Sequence, residues 1–394
     1  MKKILLGTSG LFGAVALFAG AAAAQTPTVT VGGFLDFQAG FIDDDVANSR
    51  SNAFRNDSEV SIRVDGKSDS GLGYGAVLDI EADVSADSDD EGINASRTYL
   101  FLDSGVGRLE LGSNTGAAEA MRIDASSIAR ATGGIDGSWT YFANQPQDPA
   151  NNLTLQNGAT AAGVPFISVP SLPAGHGLTE GLGNESTDNA NKISYYSPRL
   201  SGFQLGLSYA PELNDRGQGI ISNSNNSVAS DVIDIALSYE GSWDQVSLGL
   251  SGAYQTAQGS GVASNAVFSN GEDIDAYNVG ASLGFAGFSL AGSYGDWGDV
   301  TANQGAGAAS VDADYWTVGA GFDIGAVGAS VTYLESSLGT NDFENLVLGA
   351  DYSLAAGLTP YVEASFFEFE GVDSTGAAAN NDGTAVIIGT QLAF

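Results

Sequence analysis

A closed antiparallel β-barrel of about sixteen strands, set in a membrane, is the all-β fold that this sequence predicts. Three observations predict it. Apolar residues alternate with small or polar ones in segment after segment, with no helical periodicity between them. The linkers alternate between minimal turns and long polar loops, which puts turns on one side of the sheet and loops on the other. No stretch after the first thirty residues has the continuous apolar length of a membrane helix. A strand that is apolar on one face must bury that face against a second sheet or against lipid. A two-sheet sandwich has no reason to sort its connections by length, whereas a membrane barrel does. Lipid also forces the sheet to close, because no water is present to satisfy an open edge.

The 394 residues suffice for two ordinary domains or one large closed sheet. The formal charge is −34, yet 43% of residues are hydrophobic and 9% aromatic, so this is not a disordered acidic chain. Such acidity argues against nucleic acid as a partner, since phosphate contacts need Lys and Arg. With no cysteine and a single histidine, His176, disulfides, zinc centres and Cys or His nucleophiles are largely excluded, and neither an enzyme nor a cofactor is expected. The basic start Met1-Lys2-Lys3, the apolar run 4–18 and the small residues Ala21 to Ala24 read as a Sec-type signal peptide, residues 1–24. One domain, 25–394, remains.

The first strand is expected at 29–41, followed by a polar stretch, 43–57. In the second, 59–65, Val60, Ile62 and Val64 alternate with Ser61, Arg63 and Asp65. After the turn 66–71, Tyr74, Ala76, Leu78 and Ile80 alternate with Val77, Asp79 and Glu81. The acidic loop 82–95 leads to the pair 97–103 and 107–113. Alternation then stops from 114 to 190, a stretch rich in Gly, Ala, Asn and Pro. A loop that long within a compact domain calls for a function. At 191–211 the pattern resumes as a hairpin. Phe203, Leu205, Leu207 and Tyr209 oppose Gln204, Gly206 and Ser208, and the residues from Ser197 to Gly202 make the turn.

Nine more strands are expected at 232–240, 244–255, 274–285, 288–297, 313–324, 327–335, 343–354, 358–369 and 384–394. Every short turn falls on one side. The second face, as in Gln245, Ser247, Gly249 and Ser251, is small and hydrophilic and would line water. Tyr74, Trp243, Phe285, Phe288, Tyr294, Trp297, Tyr315, Trp316, Tyr333, Tyr352 and Tyr361 lie near strand ends, where rings with one polar edge suit the headgroup zone.

The last strand alternates through Val386, Ile388, Thr390 and Leu392 to a terminal Phe394. With that ending, the whole chain after the leader resembles a Gram-negative general porin of the alphaproteobacterial type. Tyr196-Ser197-Pro198, Gly202-Phe203 and the run from Ser208 to Glu212 are similar to a recurrent porin hairpin. Residues 71–75 with 78–81, and residues 107–112, resemble others more loosely. Ser113 stands where the family often has arginine. The resemblance implies an outer-membrane homotrimer among lipid and lipopolysaccharide. It also implies a final strand read by the assembly machinery through Val386, Ile388, Leu392 and Phe394.

It further implies that the loop after the fifth strand, 114–190, folds into the lumen and narrows it, setting acidic loop groups against a basic wall. Strand parity puts Arg63, Arg97 and Arg108 on the second face, so the expected constriction is Glu119, Arg122 and Asp124 with those three arginines. Structural pairing of the arginines with Asp65, Asp79 or Glu110 is the alternative. The expected function is passive diffusion of ions and small hydrophilic solutes, with cations preferred because of the net acidity. A channel selective for a sugar or organic acid, and a secreted β-rich adhesin or enzyme, are the competing readings. Loose Ca²⁺ or Mg²⁺ at Asp43 to Asp45 and at 87–91 is a further expectation.

Overall fold

The computed structural model describes residues 26–47, 49–82, 95–146, 166–174, 190–212, 230–258, 273–301, 310–372 and 376–394. The expected leader 1–24, the acidic run 87–91 and His176 lie outside the described residues. In chain order the strands are β1 (Thr28–Asp44), β2 (Asn52–Lys67), β3 (Gly73–Glu81), β4 (Ala95–Ser104), β5 (Gly107–Ser113), β6 (Asn191–Tyr196), β7 (Phe203–Glu212) and β8 (Ser230–Trp243). They continue as β9 (Val246–Gln258), β10 (Ile274–Phe285), β11 (Phe288–Thr301), β12 (Ser310–Ile324), β13 (Val327–Leu338), β14 (Asn341–Tyr352), β15 (Leu358–Glu370) and β16 (Asn381–Ala393). Each pairs antiparallel with its chain neighbours, and β16 returns to β1, so the sheet is a closed barrel. Closure extends to the last residue: Phe394 donates its N–H to Gly33 at 3.0 Å and accepts from Gly33 at 3.1 Å.

Alternation sorts side chains onto two faces. Leu205, Leu207, Ile235, Leu237, Val279 and Leu290 lie exposed on one of them. Burying a side chain of this size stabilises by roughly 1.5–3 kcal/mol, so a whole face of them calls for an apolar solvent. Tyrosines border that face and meet carboxylates beyond it. Tyr209 donates to Asp231 at 2.6 Å, and Tyr333 donates to Glu344 at 2.9 Å. The expected aromatic belt needs one correction, since Tyr315, Tyr361 and Trp297 are buried with the other, polar face. Tyr315 sits opposite Ser336 and Tyr361 opposite Gly389, so their parity turns them away from the exposed side.

Strand ends also differ from expectation, and backbone pairing explains each case. β2 starts at Asn52 rather than 59, because Phe41 pairs with Asn52 and Gln38 with Arg55. Residues 55–58 are polar on both faces and so carry no amphipathic signal. β8 runs to Trp243, which moves the turn to Asp244 and Gln245. Gln245 is therefore a turn residue and not part of the wall. β13 and β14 stay paired out to Leu338 opposite Asn341, joined by Gly339 at φ 65° and Thr340. That minimal turn lies on the long-loop side, so short turns are not confined to one side.

The polar face is not uniformly small either. On β14 and β15 it carries Phe343, Phe367 and Phe369, all buried, where side chains lining water were expected. The long segment after β5 covers them.

Candidate functional site

Four arginines share the polar face of β2–β5. Register puts Arg55 opposite Gln38, Arg63 opposite Val77, Arg97 opposite Asp79 and Arg108 opposite Asp103. Each has a carboxylate on its own wall. Arg55 pairs with Asp57 at 2.9 Å, Arg63 with Asp65 at 2.9 Å, and Arg97 stands 3.4 Å from Asp79. Arg108 holds Glu110 at 2.5 Å and Asp103 at 3.1 Å. The buried ring of Phe101 lies between two of these cations, 4.8 Å from the Arg63 guanidinium and 4.2 Å from that of Arg108. Attraction of the cations to the ring face fixes their height above the sheet. Arg63 and Arg97 nevertheless remain 43% and 42% exposed, so this wall is open to solvent.

The segment after β5 lies on the same face, against other strands. It opens with a short helix, α1 (Ala117–Ala120), and continues through 3₁₀ turns at Ala125–Ile128, Gly134–Asp136 and Ser138–Tyr141. Coil of this kind leaves backbone groups unsatisfied, and the wall side chains satisfy them. Ser208 accepts from Ala117 N–H at 3.0 Å, Ser251 from Ile123 at 3.0 Å, Thr317 from Ala125 at 3.2 Å and Ser330 from Arg130 at 2.8 Å. Glu363 accepts from the N–H and hydroxyl of Thr132 at 3.1 and 2.6 Å. Trp139 then stacks on Phe343 and Phe367 at 5.6 and 6.1 Å between centroids.

Residues 166–174 follow the wall back. Ile167 O accepts from Ser336 at 2.8 Å, Ser171 O from Trp297 at 2.7 Å, and Ala174 N–H donates to Gln255 at 2.7 Å. Backbone approaches side-chain-free positions closely here: a Cβ on Gly280 would stand 1.8 Å from Ile123 O, and one on Gly349 would stand 2.6 Å from Arg130 O. Small and polar residues on β7–β15 are thus partners for a coil, in addition to being compatible with water.

Within the segment, one cation organises the acids. Arg122, 8% exposed, contacts Glu119 at 3.0 Å, Asp124 at 2.7 Å and Asp136 at 2.7 Å. Burial pulls its basicity down, but the three carboxylates outweigh that and hold the guanidinium well above its ordinary value. Glu119 and Asp124 thus direct their guanidinium contacts to Arg122, while Arg63, Arg97 and Arg108 use Asp65, Asp79, Asp103 and Glu110. Asp124 also caps the first 3₁₀ turn, accepting from Ser126 N–H at 2.6 Å.

Two further contacts join the segment to the wall. Arg55 lies 3.7 Å over the Tyr141 ring, beside a cavity of about 220 Å³ lined by Asp57, Thr132, Asp136 and Tyr141. Lys192, buried on β6, donates to the carbonyls of Asn114 and Ala190 and so ties the two ends of the segment together.

The C-terminal residues Ile388, Leu392 and Phe394 are exposed on the apolar face, and Val386 shares their parity. At the 43–45 corner, Asp44 accepts from Asn144 at 2.6 Å and from Ser49 at 3.1 Å. Among the described residues, no three His, Cys, Asp or Glu side chains group to hold a metal ion.

Sequence reading missed Arg55, Asp136, Lys192 and Glu363. Arg55 and Glu363 carry the parity of the polar face, a signal that the misplaced start of β2 concealed for the first. Lys192 carries that parity too, beside outward-facing Ile193, whereas Asp136 lies in a coil with no alternation to place it.

A family model described as Gram-negative porin matches residues 12–372. Among curated relatives, an uncharacterized protein of Rickettsia typhi is 24% identical over 354 residues, covering 75% of this chain and 76% of the relative. One of Rickettsia conorii is 22% identical over 354 residues, covering 76% of each. Among solved structures, a triple mutant of the Rhodopseudomonas blastica porin superposes with a TM-score of 0.59 at 16% identity, over 93% of this chain and 100% of its own. An anion-selective porin from Comamonas acidovorans gives 0.60 at 19%, over 94% and 100%.

Proposed function

The chain belongs to the Gram-negative porin family, and on that premise we propose that it forms an outer-membrane channel for passive diffusion of ions and small hydrophilic solutes, with cations preferred. The observation that carries this reading is the division of the polar face. The helical turns of the segment pack on β6–β9 and β11–β16, whereas the arginine wall of β2–β5 stands exposed. With the apolar face in lipid, the polar face encloses the passage. The segment then bounds that passage on one side, where Tyr141 meets Arg55, and narrows it, while Arg63, Arg97 and Arg108 line it on the other. Arg122, Glu119 and Asp124 set the position and charge of the segment.

The charge balance supports cation preference. Each of these arginines has at least one carboxylate partner, and Glu59 lies on the same face outside any ion pair among the described residues. A surplus of negative charge in a low-dielectric passage concentrates counter-ions. The same reading carries a Sec leader at 1–24, a homotrimer among lipid and lipopolysaccharide, and recognition of Val386, Ile388, Leu392 and Phe394 by the assembly machinery. It needs neither cofactor nor catalysis.

Planar-bilayer recording under a salt gradient tests it. Stepwise conductance with a cation-sided reversal potential is the expected result, and an anion-sided potential overturns the preference. Removing residues 133–183 raises conductance if the segment narrows the passage; unchanged conductance places the segment elsewhere. A chain that stays soluble without detergent and never conducts is not a channel.

A further inference from the structure

On the open wall of β2–β5, Asp57, Asp65, Asp79, Asp103 and Glu110 each meet an arginine, whereas Glu59 meets none among the described residues. Half-buried on the polar face of β2, it accepts a long hydrogen bond from Ser96 at 3.5 Å. Register puts Glu81 of β3 directly opposite, and like charges so placed repel. Its charged neighbours along the wall are Asp57, held by Arg55, and Asp79, held by Arg97. Those two pairs balance themselves, so nothing in them cancels the charge of Glu59.

The place of Glu59 along its strand gives that charge a use. Two residues away on the same face, Asp57 lines the cavity where the segment reaches the wall, and Arg55 beyond it lies 3.7 Å from the centre of the Tyr141 ring. At about 3.3 Å per residue, Glu59 stands roughly 7 Å from that junction. A solute that clears the edge of the segment therefore passes Glu59. The acids of the segment are engaged elsewhere, since Glu119, Asp124 and Asp136 all turn to Arg122.

We infer that Glu59 determines the ion preference of the passage, as an uncancelled fixed charge that draws small inorganic cations past the narrowed section. The inference rests on the channel reading and names the side chain behind its charge preference. A fixed charge close to a narrow passage acts on every ion that crosses, whereas charges on outer loops are screened.

The test is the reversal potential of the full chain and its variants in planar bilayers under a KCl gradient. Glu59→Gln should lower the potassium-to-chloride permeability ratio about threefold, the effect of one unit charge at roughly 6 Å through water at about 0.1 M salt. Glu59→Asp keeps the charge and should keep most of the ratio. Raising the salt to about 1 M, where the Debye length is about 3 Å, should shrink the difference between Glu59→Gln and the native chain. A change in pore shape would survive that salt. Glu344→Gln removes the same charge from the outward face of β14, four strands round the barrel. That is roughly 19 Å along the sheet and beyond a Debye length, so the ratio should stay as it is.

A Glu59→Gln shift no larger than that of Glu344→Gln overturns the assignment. So does a Glu59→Asp shift as large as that of Glu59→Gln, because charge would then not be the cause. A cation-sided potential that no Glu59 variant alters removes the assignment and leaves the channel and its preference. An anion-sided native potential that Glu59→Gln drives further removes the cation preference and keeps Glu59 as the charge acting on ion choice. Absence of conductance removes both.

Discussion

Replacing Glu363 by alanine should loosen one stretch of the long segment while the barrel stays closed. Glu363 stands on the polar face of β15 and accepts three donors from the segment: Thr132 N–H at 3.1 Å, Thr132 Oγ1 at 2.6 Å and Gly134 N–H at 3.4 Å. Alanine leaves those donors without an acceptor. An orphaned buried donor costs about 1–3 kcal/mol. The bond to Gly134 is long and Thr132 is half-buried, so water recovers part of the loss, and roughly 2–4 kcal/mol remains. At about 1.4 kcal/mol per decade, local opening near residue 132 becomes roughly 30- to 700-fold more frequent.

Hydrogen exchange measured on peptides spanning 129–143 in detergent should show that loss of protection. Peptides from β8–β10 serve as an internal reference and should not change. Glu363→Gln keeps one acceptor oxygen and should fall between alanine and the native chain. Unchanged exchange at 132–134 in the alanine variant would show that stacking of Trp139 on Phe343 and Phe367, and not this carboxyl, holds the stretch down.

Two other outcomes follow from charge. Arg122→Met removes the single cation among Glu119, Asp124 and Asp136, and breaking a buried pair in this way costs about 3–5 kcal/mol. Proteolytic nicking between residues 119 and 136 should appear at temperatures where the native chain resists, and equal resistance would refute the role of Arg122 as the centre of that cluster. At the opposite corner, Asp45 shares a hydrogen bond with Asp382 and is repelled by its charge, so its carboxyl titrates above the ordinary value. A carboxyl raised in the folded state adds stability below its unfolded value of about 4 and loses it as pH rises through the folded one. Asp382→Asn removes the repulsion, so the variant should gain thermal stability over the native chain at pH 7 but not at pH 3. The same difference at both pH values would refute the coupling.

The fold was legible because its cause is local and repeated. In Phe203 to Tyr209, or Val386 to Leu392, each residue's face follows from its place in the chain, and period-two burial repeats the signal strand after strand. Strand ends were less legible. Where both faces are polar, as at 55–58, neither needs lipid, and pairing with the neighbouring strand alone decides where the ladder stops. The wall arginines were found by parity, since Arg63, Arg97 and Arg108 inherit their direction from Ile62, Thr98 and Leu109 beside them.

Sequence by itself determined the barrel, its strand number and the side of the sheet on which Arg63, Arg97 and Arg108 stand, because alternation carries that information within a few residues. Only tertiary structure decided which charges meet. Arg122 gathers Asp136 across 14 positions, Glu363 reaches Thr132 across 231, and Trp139 settles on Phe343 and Phe367. No periodicity links such partners. Coulomb attraction and the need to satisfy a coil's backbone act through space, and the path of the coil across the wall is set only once the sheet has closed around it.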